Sequence, residues 1–130
     1  MKIMVLIARI LMGLVFLVFG LDKIVPFIKA PMPTGDAGVL MGVMFQHNWI
    51  LFYGFVETVS GLMLLAGRFV PLGLTLLAGM IVNIVLYGIT PGPPSGLIPG
   101  LVVGVVELFL VYAYRASFAG IFAAKAEPAV

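Results

Sequence analysis

The sequence predicts an all-α membrane protein: a four-transmembrane-helix bundle with a short interfacial or re-entrant helix in its first outward loop. Three observations predict it. Hydrophobic residues make up 63% of the chain and charged residues only 9%, far outside the composition of soluble domains. Four apolar runs, approximately 3–21, 49–66, 70–90 and 97–114, come close to or reach the length of a membrane-crossing helix. A chain of 130 residues also has no interior able to hide that much apolar surface, so lipid must solvate much of it. Residues 1–130 form a single domain.

The first run opens after Met1-Lys2 and is longer than the apolar core of a secretory signal, with no small-x-small site behind it. It is expected to be a retained membrane helix. Residues 22–48 change character: Pro26, Pro31 and Pro33 break the helix, and Asp22, Lys23, Lys29 and Asp36 need water or partners. Within them, residues 37–46 are apolar but too short to span, which suits a helix lying in the interface or folded back over the helix ends. His47, Asn48 and Trp49 mark a membrane boundary, where tryptophan favours the headgroup layer.

The second run carries Glu57 and ends at Gly67-Arg68-Phe69-Val70-Pro71, with Pro71 suited to a first helical turn. The third holds Asn83 and Tyr87 and stops at the proline-rich segment 91–96. The fourth holds Glu107 and Tyr112 and closes on Arg115. Four spans bring both termini to one side, which collects Lys2, Arg68, Arg115 and Lys125 against Lys23 and Lys29 opposite; that excess predicts cytoplasmic termini.

The ionisable residues inside the runs are the candidates for function. An arginine in a membrane helix is costly unless it faces protein, water or opposite charge. Counted along each run, Arg9 lies about 9 Å from the expected cytoplasmic end, Glu57 roughly 13 Å and Glu107 about 11 Å, with Asn83 deeper at about 18 Å. The faces agree: Arg9, Gly13, Phe16 and Gly20; Gly54, Glu57 and Gly61; Gly79, Asn83 and Tyr87; and Gly100, Gly104, Glu107 and Val111 each share a stripe. Small residues let membrane helices approach, so these stripes are expected to face inward and gather Arg9, Glu57, Asn83 and Glu107 in one cluster.

Two carboxylates and one guanidinium leave an excess of negative charge, so one carboxyl is expected to take up a proton or a cationic ligand. Glu57 is expected to pair with Arg9 and Glu107 to be that carboxyl, with Asn83, Tyr87 and Tyr112 supplying hydrogen bonds. The same cluster also fits a purely structural role, since buried ion pairs can fix helix register without chemistry. Asp22 and Lys23 read most simply as a neutralised helix end, or else as an outward pocket wall, and Arg68 as a helix end. His47 reads as an interfacial polar residue, the 8 methionines as packing, and Gly100-x-x-x-Gly104 as an intramolecular contact.

Other chemistries are narrowed by what the chain lacks. Without cysteine there is no thiolate catalysis or iron–sulfur ligation, and without a histidine in any run there is no bis-histidine haem. No metal site is expected. A net charge of +2 with no basic run offers nothing to nucleic acid.

ARILMGLVFLVFGLDK, GFVETVSGLMLLAGRFVPLGLTLLAGMIVNIVLY and VVELFLVYAYRASF together resemble the DoxX family of small bacterial membrane proteins. Arg9, Lys23, Glu57, Arg68, Asn83 and Glu107 stand at the matching positions. The resemblance implies a four-helix fold in the bacterial inner (cytoplasmic) membrane and a place beside quinone-linked redox or oxidative-stress systems. It implies a quinone as the non-covalent cofactor and redox proteins as partners, with no independent catalytic activity. Two further readings stand beside it: a carrier or binding protein for a small apolar or zwitterionic molecule, with 22–48 as a lid, and a structural membrane anchor. Self-association into a homo-oligomer is open to all three.

Overall fold

The computed structural model describes residues 1–28, 31–90, 92 and 94–129. Lys29, counted above among the outward charges, and Pro91 and Pro93, counted among the breakers, lie outside the described residues. All regular structure among the described residues is helical: α1 (Lys2–Ile24), α2 (Gly35–Gln46), α3 (Trp49–Ala66), α4 (Val70–Ile89) and α5 (Leu97–Ala113), with 3-10 turns at Pro94–Gly96 and Arg115–Phe118. Among them α1, α3 and α4 are long and apolar enough to cross a membrane. With 17 residues, α5 is about 25 Å long, somewhat short of a bilayer core, and α2 is shorter still.

The long helices and α5 pack side by side in a ring: α1 on α3, α3 on α4, α4 on α5, and a lighter α5–α1 contact closing it. The tight turn from α3 to α4 makes that pair antiparallel, and α1 is antiparallel to α3, with Gly13 against Gly61 and Gly20 against Gly54. Leu64, Leu74, Leu77 and Leu110 are fully buried at its centre, joined by Met12, Phe16, Val70, Ile81 and Phe118. The outer faces, among them Ile3, Leu11, Phe52, Phe55, Val82, Ile98, Val105 and Leu108, are exposed and apolar, as lipid contact requires.

Glycine decides how closely α1 meets α3. A Cβ on Gly61 would stand 2.8 Å from the Gly13 carbonyl oxygen and 2.8 Å from the Leu17 nitrogen; one on Gly54 would meet the Gly20 carbonyl oxygen at 2.8 Å. Backbone touches backbone at two levels just under two turns apart. This is the contact that small residues permit in membranes.

The turn after α3 rests on Gly67, whose φ of 70° is left-handed. Its N–H and that of Arg68 both donate to the Met63 carbonyl, at 3.0 and 3.2 Å, which satisfies the end of the helix. Phe69 is also left-handed (φ 58°) as the chain swings into α4, where Pro71 occupies the first turn.

Candidate functional site

The register of α1 on α3 governs where the polar groups fall. Gly20 lies against Gly54 and Thr58, Gly13 against Gly61 and Leu65, and the Arg9 guanidinium against Gly67, beyond the last residue of α3. Arg9 is therefore about 15 Å along the bundle axis from the level of Glu57. The expected Arg9–Glu57 pair does not form. Depths counted from each run's own end assume flush ends, whereas α1 overhangs α3 by about two turns.

Lys23 takes the place assigned to Arg9. Its Nζ lies 2.9 Å from Glu57 Oε2, with Glu57 buried and the lysine 28% exposed. Lys23 continues the buried stripe of Gly13, Phe16 and Gly20 by one more step of three, and its Cβ sits against Gly54. Its long stem lets the ammonium reach along the helix to a carboxylate one turn away. That spacing was the signal in the sequence that pointed to it.

Asp22 also holds the end of α1 through the backbone. Its Oδ1 accepts the backbone N–H groups of Phe27 at 2.9 Å and Ile28 at 2.7 Å, which folds the chain over at the end of α1. Arg68 is exposed beyond α3, and among the described residues it bonds through its backbone N–H, to the Met63 carbonyl.

Asn83 and Gly79 are exposed, so that stripe of α4 faces away from the bundle centre. The inward face is instead Val70, Gly73, Leu74, Leu77, Ile81 and Gly88. The bulkier apolar stripe wins the core, and the Asn83 amide returns a hydrogen bond to the Gly79 carbonyl at 2.9 Å within its own helix.

Glu107 stands apart from both. It is 5% exposed, on the α4-facing side of α5, at a shallow groove of about 320 Å³ whose walls include Ala78, Ile81, Val85, Gly104 and Leu108. Neither carboxyl oxygen has a hydrogen-bond partner. Tyr112 is exposed at the far end of α5, its ring under the Arg115 guanidinium at 4.4 Å. The cluster of Arg9, Glu57, Asn83 and Glu107 is thus divided among three places, because each run's polar residue obeys its own helix's packing face.

What the bundle assembles instead is a cavity of about 420 Å³ at the end where α1 stops and α3 begins. The Lys23–Glu57 pair lies in its wall together with Asn83, Tyr87 and Tyr53. Leu40, Met41 and Met44 of α2 cover it, with Trp49, Ile50, Met80 and Ile84 completing the apolar lining. Three of the methionines expected to fill the core therefore line a pocket, where their flexible side chains suit an adaptable surface. Trp49, Tyr53 and the methionines are binding candidates that stripe counting on single runs passed over. They become neighbours only once α2 folds back on α3.

Such a chamber offers ammonium, amide and phenol donors beside a carboxylate acceptor, within walls that are otherwise apolar. It can orient the polar end of a small amphiphile.

The DoxX family model matches residues 4–89, which span α1 to α4 and include every residue named in this chamber. No curated protein and no solved structure matches the chain.

Proposed function

The chain belongs to the DoxX family, and on that premise we propose that this integral membrane protein is a binding subunit of a quinone-linked redox or oxidative-stress system, without catalytic activity of its own. The observation carrying this reading is the α2-covered chamber with its Lys23–Glu57 pair. In this reading α5 is the fourth span and α2 an interfacial cover.

A quinone head is a flat ring with two carbonyl acceptors. The Lys23 ammonium has protons to spare beyond the one given to Glu57, and the Tyr53 and Tyr87 hydroxyls add donors. Met41, Met44, Met80 and Trp49 would give such a ring apolar walls. Bound there, a quinone carries reducing equivalents for a partner protein. The residues of this chain hold and orient it. The basic residues Lys2, Arg68, Arg115 and Lys125 support cytoplasmic termini in a bacterial inner membrane, with the chamber toward the outer leaflet.

A second reading has one observation of its own. A cation and an anion side by side in an apolar chamber also match the head of a small zwitterion, which a carrier would hold under the same cover.

Trp49 is the only tryptophan and lies in the chamber wall, so its emission reports on occupancy. Short-chain quinone titrated into detergent-purified protein is expected to quench it saturably, with weaker binding in Glu57→Gln. Native mass spectrometry of the same preparation separates the readings. A quinone mass lost in Glu57→Gln supports the first, and a zwitterion lost in that variant supports the second. Neither mass together with no quenching overturns both.

A further inference from the structure

Among the described residues Arg9 has no acidic partner, and its surroundings indicate where one comes from. At the end of the bundle opposite the chamber, a pocket of about 720 Å³ opens between the first turns of α1 and the last turn of α5. Among the described residues its lining includes Lys2, Val5, Arg9, Tyr112, Tyr114 and Arg115, and no carboxylate. Three cationic side chains face one space with nothing of opposite sign among them.

The Arg9 guanidinium is poorly satisfied. Its Nη1 donates to the Tyr114 hydroxyl at 3.4 Å, beyond the usual range for such a bond, and its Nε is buried with no partner. Among the described residues, five donors are thus served by one weak contact. Arg115 is fixed at the rim: its Nη1 donates to the Tyr112 carbonyl at 2.9 Å and its guanidinium lies over the Tyr112 ring. Val5 and Leu6 continue the wall with apolar surface.

We propose that this pocket binds a phosphate-bearing anion, which supplies the counter-charge of Arg9. Guanidinium forks match phosphate oxygens in pairs, Lys2 adds a mobile ammonium at the mouth, and the Tyr114 hydroxyl adds a donor. The pocket sits at the helix ends, at the depth of lipid headgroups, beside an apolar wall that an acyl chain can follow. The phosphate is that of an anionic lipid head or one free in solution. The chemistry recognised is the same.

The full chain is reconstituted into nanodiscs of phosphatidylcholine containing a minority of phosphatidylglycerol, and retained lipid is counted by native mass spectrometry. Phosphatidylglycerol is expected to be retained over phosphatidylcholine, with retention lowered about tenfold or more in Arg9→Gln, the size of one lost charge-assisted contact. A parallel arm follows ³¹P line broadening of inorganic phosphate in detergent. Broadening that disappears in Arg9→Gln, without lipid selectivity, assigns the site to free phosphate. If Arg9→Gln fails to fold, Lys2→Gln combined with Arg115→Gln, which alters only exposed side chains, decides the matter. Wild-type protein with neither lipid selectivity nor broadening overturns the proposal, as does unchanged retention and unchanged broadening in the variants.

Discussion

Lys23 Nζ and Glu57 Oε2 stand 2.9 Å apart, joining the end of α1 to the middle of α3 through partners of unequal burial. The inequality sets the outcome of breaking the pair. Lys23→Met leaves a carboxylate that is 4% exposed with no cation, whereas Glu57→Gln leaves a lysine that can still turn toward water. Lys23→Met is expected to destabilise by about 3–5 kcal/mol and Glu57→Gln by about 1–2 kcal/mol. Thermal unfolding in detergent measures both, and equal losses would contradict the assigned burial.

Gly61 and Gly79 predict opposite responses to one added methyl. At Gly61 every nearby atom is backbone of α1, so Gly61→Ala must part the helices and is expected to cost about 1–3 kcal/mol. At Gly79 nothing lies within 4 Å of the added carbon, and Gly79→Ala is expected to stabilise α4 by about 0.5–1 kcal/mol. The same unfolding measurement reads both signs.

Gly67 is constrained twice, by its left-handed backbone and by the Arg9 guanidinium 3.0 Å from where a Cβ would stand. Gly67→Ala is expected to cost about 1–2 kcal/mol from the backbone alone, and Gly67→Asn less, because asparagine tolerates that conformation. Comparing the two separates backbone strain from crowding of Arg9.

Glu107 brings two buried oxygens without partners into an apolar groove. Glu107→Leu removes that desolvation and fills the groove, so it is expected to raise thermal stability by about 1–4 kcal/mol. A loss of stability would show that the carboxyl has a partner in the folded protein.

The extent of each long helix was legible to within a few residues, because apolar runs and proline breaks dictate where a lipid-embedded helix can begin and end. Gly13, Gly20, Gly54 and Gly61 also announced the α1–α3 contact, since close approach leaves its mark in the residues that allow it. The axial stagger of that contact left no such mark within either run. It emerges from which glycines pair, and it exchanges Arg9 for Lys23 at Glu57. Asn83 lies in the chamber wall with Glu57 and Tyr87 but on an exposed face of α4: a polar residue sharing a stripe with glycine looks inward-facing until the competing apolar stripe through Leu74, Leu77 and Ile81 is weighed against it. The chamber was beyond reach of single-run periodicity, being built from residues of four helices.

The partner of Glu57 precedes it in the chain by 34 residues. A ribosome feeding this protein into the bilayer therefore delivers α1 first, its glycine face open and its lysine already in place. When α3 follows, its acid enters beside a waiting base and need not linger among acyl chains uncompensated. A circular permutant that emits α3 ahead of α1 would forfeit this sequence of events, and its insertion yield should drop although the finished bundle is the same.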